Sequence, residues 1–407
     1  MGSVFEEKLK KGFKDRYIQN MPEDKKKEYR ARKFDEFFET LSTKKNRYLL
    51  FCPDIVVVND VVRIIYDLAL EAKENGYNVT VLHEINGFKC KWLTDYDSKY
   101  KSVNIEYIIT KKSAKSKKES QRYSFIPTDT LIVPDMFQDI FDNINEVKLI
   151  QKILLVTGYA GLGALAPGAT YKQLGVERCI FLGKKLKDDY EKVFPNLVGN
   201  YLMDYKIDTK LFDKTIVNTK EIYPVICISN IGNTKLSQQV VNIFYNLYPN
   251  LNVFSFKLIA RDSYEDYVNS LAHSCLFVNL DDNLGFKKSL IESINMGVPV
   301  TTFNRRELED DTDLVEFTVV FDRDAFSIAK FLSQFCAYWL SNSSTIALDE
   351  VRALASKLQI EETYKVDKYN ESVKSIFTSL QEERVKYFLS IKQTMEKSEL
   401  NDTEVKQ

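Results

Sequence analysis

Between Arg47 and Leu82 the chain alternates unbroken apolar runs with a helical pattern. Tyr48-Leu49-Leu50-Phe51-Cys52 is continuous, as a parallel strand covered on both faces requires. Asn59 or Asp60 is placed to cap a helix with an apolar side of Val61, Ile65, Leu68 and Ala72, stopping at Gly76. Tyr77 to Leu82 is the next strand, so this stretch predicts a βαβ unit opening a doubly wound sheet. Further apolar runs at Thr130–Val133 and Ile153–Val156 extend it. After Phe212 the polar stretch 213–222 reads as an interdomain linker, and a second α/β series starts at Val225-Ile226-Cys227-Ile228. It predicts helices over 235–248, 264–273 and 286–296 and strands at 252–258, 276–280, 298–303 and 317–321, with a helical remainder.

The pattern divides the chain into a helical N-terminal extension (1–46), a first α/β domain (47–215, with a C-terminal helix at about 370–395 packed back onto it), a second α/β domain (216–369) and a disordered tail (396–407). In the extension Phe5, Leu9, Phe13 and Tyr17 recur every fourth residue among lysines, and Phe34, Phe37, Phe38 and Leu41 form a second stripe. Such an arm packs on its own domain or on a protein partner; basic amphipathic helices also lie on membrane surfaces. Residues 99–122 are rich in lysine, and 111–122 read as a solvated loop.

Composition narrows the function classes. Of 407 residues 44% are hydrophobic and 28% charged, which is ample for a folded core and excludes a collagenous or disordered chain. Lys and Arg number 57 against 58 Asp and Glu, a net charge of −1 that provides no global attraction to nucleic acid or anionic lipid. The cysteines at 52, 90, 179, 227, 275 and 336 make no C-x-x-C pair and read as buried thiols. His83 and His273 stand far apart, so neither a zinc site nor a His-activated nucleophile is expected. With no signal-like N-terminus and no apolar run of about 18 residues, a cytoplasmic location is the expectation.

Two segments carry candidate chemistry. Four of the 14 glycines lie in Gly158–Gly168, directly after a strand, where ligands bind in open α/β sheets. The second runs from Asp281 to Val300: a strand end, the Gly285 turn, a short helix carrying Glu292, the Gly297 stop and another strand. A helix N-terminus at the C-edge of a parallel sheet is an anion site. Lys287, Lys288 and Ser289 lie in its first turn, and Glu292 is placed to accept hydrogen bonds from vicinal hydroxyls.

These residues resemble the GT-B glycosyltransferases, specifically the family-4 group of retaining enzymes that use nucleotide sugars. Their motif reads Glu-Gly-Phe-Gly-x-x-x-x-Glu-Ala-Met-Ala-x-Gly-x-Pro-Val, and Gly285, Phe286, Glu292, Gly297, Pro299 and Val300 align with it without gaps. The resemblance covers most of residues 47–370 and implies two Rossmann-like domains facing a cleft. It implies a nucleotide-diphospho-sugar donor of the UDP-sugar kind, held by Asn230, Lys235, Gly285, Phe286, Lys287, Lys288, Ser289 and Glu292. Lys235 and Glu292 are the residues it implies for catalysis, with no further cofactor and no metal. Asp54, Asn59, Gly158, Tyr159 and Gly161 would shape the acceptor side. The chain departs from the family pattern where Asn230 replaces an Arg, Leu284 a Glu, and Tyr159 a His.

The function implied is transfer of a sugar, with retention, to an acceptor that the sequence does not name: glycan, protein, lipid or nucleic acid. The departures keep open a non-catalytic GT-B subunit or binding module. A third reading is a sugar transferase acting on nucleic acid, with 99–122 on the phosphates.

Overall fold

Twelve parallel strands in two sheets organise the described part of the chain. The computed structural model describes residues 21–42, 46–95, 97–108, 123, 125–126, 128–143, 150–176, 178–197, 199–208, 211–212, 223–229, 234–259, 263–280, 286–303, 319–321, 324–342 and 366–404. The first sheet contains β1 (Arg47–Phe51), β2 (Asn78–His83), β3 (Asn104–Tyr107), β4 (Thr130–Pro134), β5 (Gln151–Val156), β6 (Arg178–Phe181) and β7 (Tyr201–Leu202). Their order is β3-β2-β1-β4-β5-β6-β7, with Tyr48 of β1 opposite both Val79 and Thr130. The second contains β8 (Val225–Ser229), β9 (Ser255–Leu258), β10 (Leu276–Asn279), β11 (Val300–Phe303) and β12 (Val319–Phe321), in the order β12-β11-β10-β8-β9.

In both sheets the chain runs to one edge and then returns across its first strand. The order therefore reverses between β1 and β4, and again between β8 and β10. These are the topological switch points, where adjacent loops part and leave a crevice at the strands' carboxyl ends.

Apart from the single turns Lys91–Thr94 and Asp139–Asn143, the described helices are α1 (Glu23–Ser42), α2 (Asp60–Glu74), α3 (Lys184–Val193), α4 (Thr234–Leu247), α5 (Tyr264–Ala272), α6 (Phe286–Asn295), α7 (Ala325–Ser341) and α8 (Val366–Glu404). Asn59 caps α2 by accepting from the amides of Val61 and Val62, and Gly76, at φ 83°, turns the chain into β2. On one face of the second sheet, α4 and α7 bury Val240, Phe244, Ile328 and Leu332 against Ile226, Ile228 and Val278. On the other face α5 and α6 bury Tyr267, Leu290, Ile291 and Ile294 in a core that continues through Phe212 into the first domain. The second domain's β9 starts at Ser255, later than the expected 252, because the 3-10 turn Pro249–Leu251 takes up the residues before it.

The last helix returns to the first domain. Tyr369, Val373, Ile376, Phe377 and Leu380 are buried, and the Phe377 ring lies 4.7 Å from Tyr48 and 5.2 Å from Tyr77. Further along, Glu383 pairs with Arg178 of β6 and accepts from Tyr201 of β7 at 2.7 Å. The helix runs on to Glu404, into the stretch that the sequence pattern reads as a disordered tail, and α1 packs on it. The stripe of Phe5, Leu9, Phe13 and Tyr17, the linker 213–222 and the basic segment 111–122 lie outside the described residues.

Candidate functional site

The second switch point brings two helix starts to neighbouring strand ends. α4 follows β8 and α6 follows β10, and these two strands are paired in register from Leu276–Ile226 to Asn279–Ser229. Lys235, the second residue of α4, is exposed at this end. Phe286 and Lys287 open α6. Asn230, Gly285 and the segment Asp281–Leu284 lie outside the described residues.

The next three expected donor residues are buried against the first domain. Ser289 is 0% exposed and donates to Asp60 Oδ2 at 2.7 Å. Lys288 is 2% exposed, with its Nζ 3.4 Å from Asp67 Oδ2 and a second hydrogen bond to the Lys206 carbonyl. Glu292 is 0% exposed and accepts from both terminal guanidinium nitrogens of Arg63, Nη1 at 3.1 Å and Nη2 in a shorter contact. Arg63 also donates to Asp60 at 3.1 Å and lies over the Tyr264 ring, 4.5 Å from its centroid.

All three partners stand on α2, at positions 60, 63 and 67, a spacing that puts them on one helix face. Three carboxylates (Asp60, Asp67, Glu292) thus face two cations (Arg63, Lys288). Burial pushes the Glu292 carboxyl up and the Lys288 ammonium down, because each loses water. Burial also acts on Asp67, but Lys288 and Lys206 outweigh it and hold that carboxyl below its ordinary value. The open cleft expected here between the domains is closed along α2 and α6. A cavity of about 480 Å³ opens beside the contact, lined by Arg63, Asp67, Tyr100, Lys206, Tyr264 and Lys288 among others.

The residues expected on the acceptor side follow β1, at the first switch point, and β5, one strand beyond β4. Asp54, after β1, accepts from the Ile85 amide at 2.6 Å and lies 2.7 Å from His83 Nδ1; Tyr66 meets the other ring nitrogen at 2.9 Å. Asn59 is consumed by capping α2. In the glycine-rich segment, the Gly158 carbonyl accepts from Tyr190 at 3.1 Å and Tyr159 donates to Asp189 at 2.6 Å, so α3 fastens the loop. Gly161 lies on Asp135, the residue after β4: a Cβ at 161 would be 2.5 Å from Asp135 Oδ2. Burial raises the Asp135 carboxyl to about 7, against hydrogen bonds to Oδ1 from the Thr157 amide at 3.3 Å and its hydroxyl at 3.1 Å.

Sequence reasoning missed Asp60, Arg63, Asp67 and Asp135. The first three repeat at helical spacing opposite the apolar side of α2, which alone reads as a solvated face. Lys99, from the basic stretch, pairs with Asp97 at 2.8 Å. All six cysteines are buried and unpaired. Among the described residues no group of three or more His, Cys, Asp or Glu is arranged to hold a metal ion, and no helix is long and apolar enough to cross a membrane.

No protein-family model and no curated protein matches the chain. Solved structures do. Sucrose-phosphate synthase from Thermosynechococcus elongatus aligns with TM-score 0.56 at 9% identity, over 82% of this chain and 99% of that one. The pneumococcal O-GlcNAc transferase GtfA, in complex with UDP and GlcNAc, aligns with TM-score 0.54 at 10% identity, over 82% and 99%. TarM of S. aureus, in a complex that includes UDP, aligns with TM-score 0.54 at 11% identity, over 83% and 99%. At such identities the likeness concerns the fold: two facing Rossmann-like domains, the GT-B architecture.

Proposed function

We propose that this protein is a glycosyltransferase that takes its sugar from a nucleotide-diphospho-sugar bound at the second switch point. The observation that carries the reading is the start of α4, with exposed Lys235, and of α6 at adjacent strand ends. Free amides and the dipole at the α6 N-terminus favour a diphosphate. When the bond from the anomeric carbon to the diphosphate oxygen breaks, the electron pair stays with the diphosphate. Lys235 and the α6 amides would stabilise that growing charge without reorganising. Glu292, released from Arg63, would take the ribose hydroxyls. Retention of configuration and a UDP-linked donor follow from the motif resemblance, as does an acceptor side formed by the loops after β1 and β5. The GT-B structures that contain UDP are consistent with the donor class.

A specific observation favours a second reading, a non-catalytic GT-B module: Glu292 is engaged by Arg63, and Ser289 and Lys288 by Asp60 and Asp67. Thermal unfolding with UDP, GDP, ADP and CDP and their sugar conjugates separates the readings. A ligand at about 100 times its Kd adds roughly 2.7 kcal/mol, a shift of a few degrees. A shift selective for one nucleotide and lost in Lys235→Ala, together with donor hydrolysis or transfer, supports the enzyme. A nucleotide shift with no turnover supports the module, and no shift with any nucleotide removes the donor site.

A further inference from the structure

Three side-chain pairs join α2 and α6: Asp60 with Ser289, Arg63 with Glu292, Asp67 with Lys288. Each pair takes one group from the first domain and one from the second. The α6 members are the side chains suited to a nucleotide diphosphate: a hydroxyl and an ammonium for phosphate oxygens, a carboxylate for ribose. The α2 members supply the complementary chemistry that a donor would bring, two carboxylates in place of phosphates and one donor group in place of hydroxyls. All six side chains are nearly or fully buried, so the same α6 groups cannot serve a ligand while the pairs hold.

From this we infer that α2 is an autoinhibitory latch: its charged face occupies the donor groups of α6, and the protein admits a nucleotide diphosphate only by parting these pairs. The inference rests on the reading that the donor binds at the α6 end of the second sheet.

Two features make the latch releasable. Buried ion pairs contribute little net stability once desolvation is counted, so exchanging them for equivalent partners is close to balanced. The cavity of about 480 Å³ reaches Arg63, Asp67 and Lys288 from one side, giving a ligand a route to the pairs without unfolding the core. A site open only a fraction f of the time binds with Kd raised by 1/f, so a latch closed about 90% of the time or more weakens binding by about tenfold or more.

The test uses the full chain and the double variant Asp60→Asn/Asp67→Asn, which keeps shape but removes the two carboxylates; Asn59, the cap of α2, is untouched. Two readouts are taken: calorimetric binding of UDP, GDP, ADP and CDP, and amide hydrogen exchange over 286–295. Asp208→Asn is the control, since that carboxylate lines the same cavity but bonds the Leu211 amide. The latch predicts that the double variant binds its nucleotide at least tenfold tighter than wild type and exchanges faster in α6, while Asp208→Asn changes affinity less than twofold. Wild-type binding that is unchanged or weaker in the double variant overturns the latch and leaves the donor reading intact. Equal tightening in Asp208→Asn also overturns it, as a general effect of charge. Faster exchange in α6 with no nucleotide bound by any form overturns the latch and the donor reading together.

Discussion

The Arg63 guanidinium and the Glu292 carboxylate are 229 residues apart in sequence, and they meet through two hydrogen bonds with side-chain exposures of 4% and 0%. One belongs to the helix after the first sheet's opening strand, the other to the helix after β10. The pair therefore ties the two switch points together, beside the Asp60–Ser289 and Asp67–Lys288 contacts and the shared apolar core.

Removing one partner should be expensive because the other charge stays buried. Arg63→Ala is expected to cost about 3–5 kcal/mol in denaturant unfolding. Adding Glu292→Gln to it should restore part of that loss, with a coupling of about 0.5–3 kcal/mol in a double-mutant cycle. Additive losses would show that the two side chains act independently.

Gly161 has no room for a side chain. With a Cβ 2.5 Å from Asp135 Oδ2 and 2.6 Å from Asp135 Cβ, Gly161→Ala must push the loop from β4. A loss of about 1–3 kcal/mol is expected from overpacking. The companion Gly163→Ala, which meets nothing within 4 Å, should be nearly silent in the same urea titration.

Asp135 makes stability depend on pH in a stated direction. Its carboxyl is raised by burial from 3.8 to about 7, so across that interval the folded state keeps a proton that the unfolded chain has released. Its contribution is fully present below pH 3.8 and is lost as pH rises through about 7. Asp135→Asn should flatten the wild-type decline in Tm over this window. An identical pH profile in the variant would show that another group carries the dependence.

The return of α8 to the first domain depends on Phe377, fully buried between Tyr48 and Tyr77. Phe377→Ala should cost about 3–5 kcal/mol, and hydrogen exchange should rise in both α8 and β1. Faster exchange in α8 alone would mean that the helix is an appendage to the domain.

Much of this architecture was written into local patterns. The run Tyr48–Cys52 marks a strand buried on both faces because a parallel strand offers water neither side, and the alternation with capped amphipathic helices made two doubly wound domains legible. The stretch from Phe286 to Val300 announced a helix, a glycine stop and a strand, and its motif resembles that of GT-B enzymes. The buried stripe of Tyr369, Val373, Ile376, Phe377 and Leu380 was visible as a helix face in need of a partner. What no local pattern carried was the partner of each polar group.

Asp60 looks like a candidate helix cap, Arg63 and Asp67 look like solvated residues on the outer face of a helix, and Glu292 looks like a ligand residue awaiting hydroxyls. Sequence determines which groups are charged and on which face of an element they lie, since helical periodicity is a local property of the backbone. Only the tertiary structure decides whether such a face meets water, a ligand or another helix. Here it meets α6, because the crossover of the first sheet and the return of the second bring two charged faces into one desolvated contact, where each charge must find its opposite.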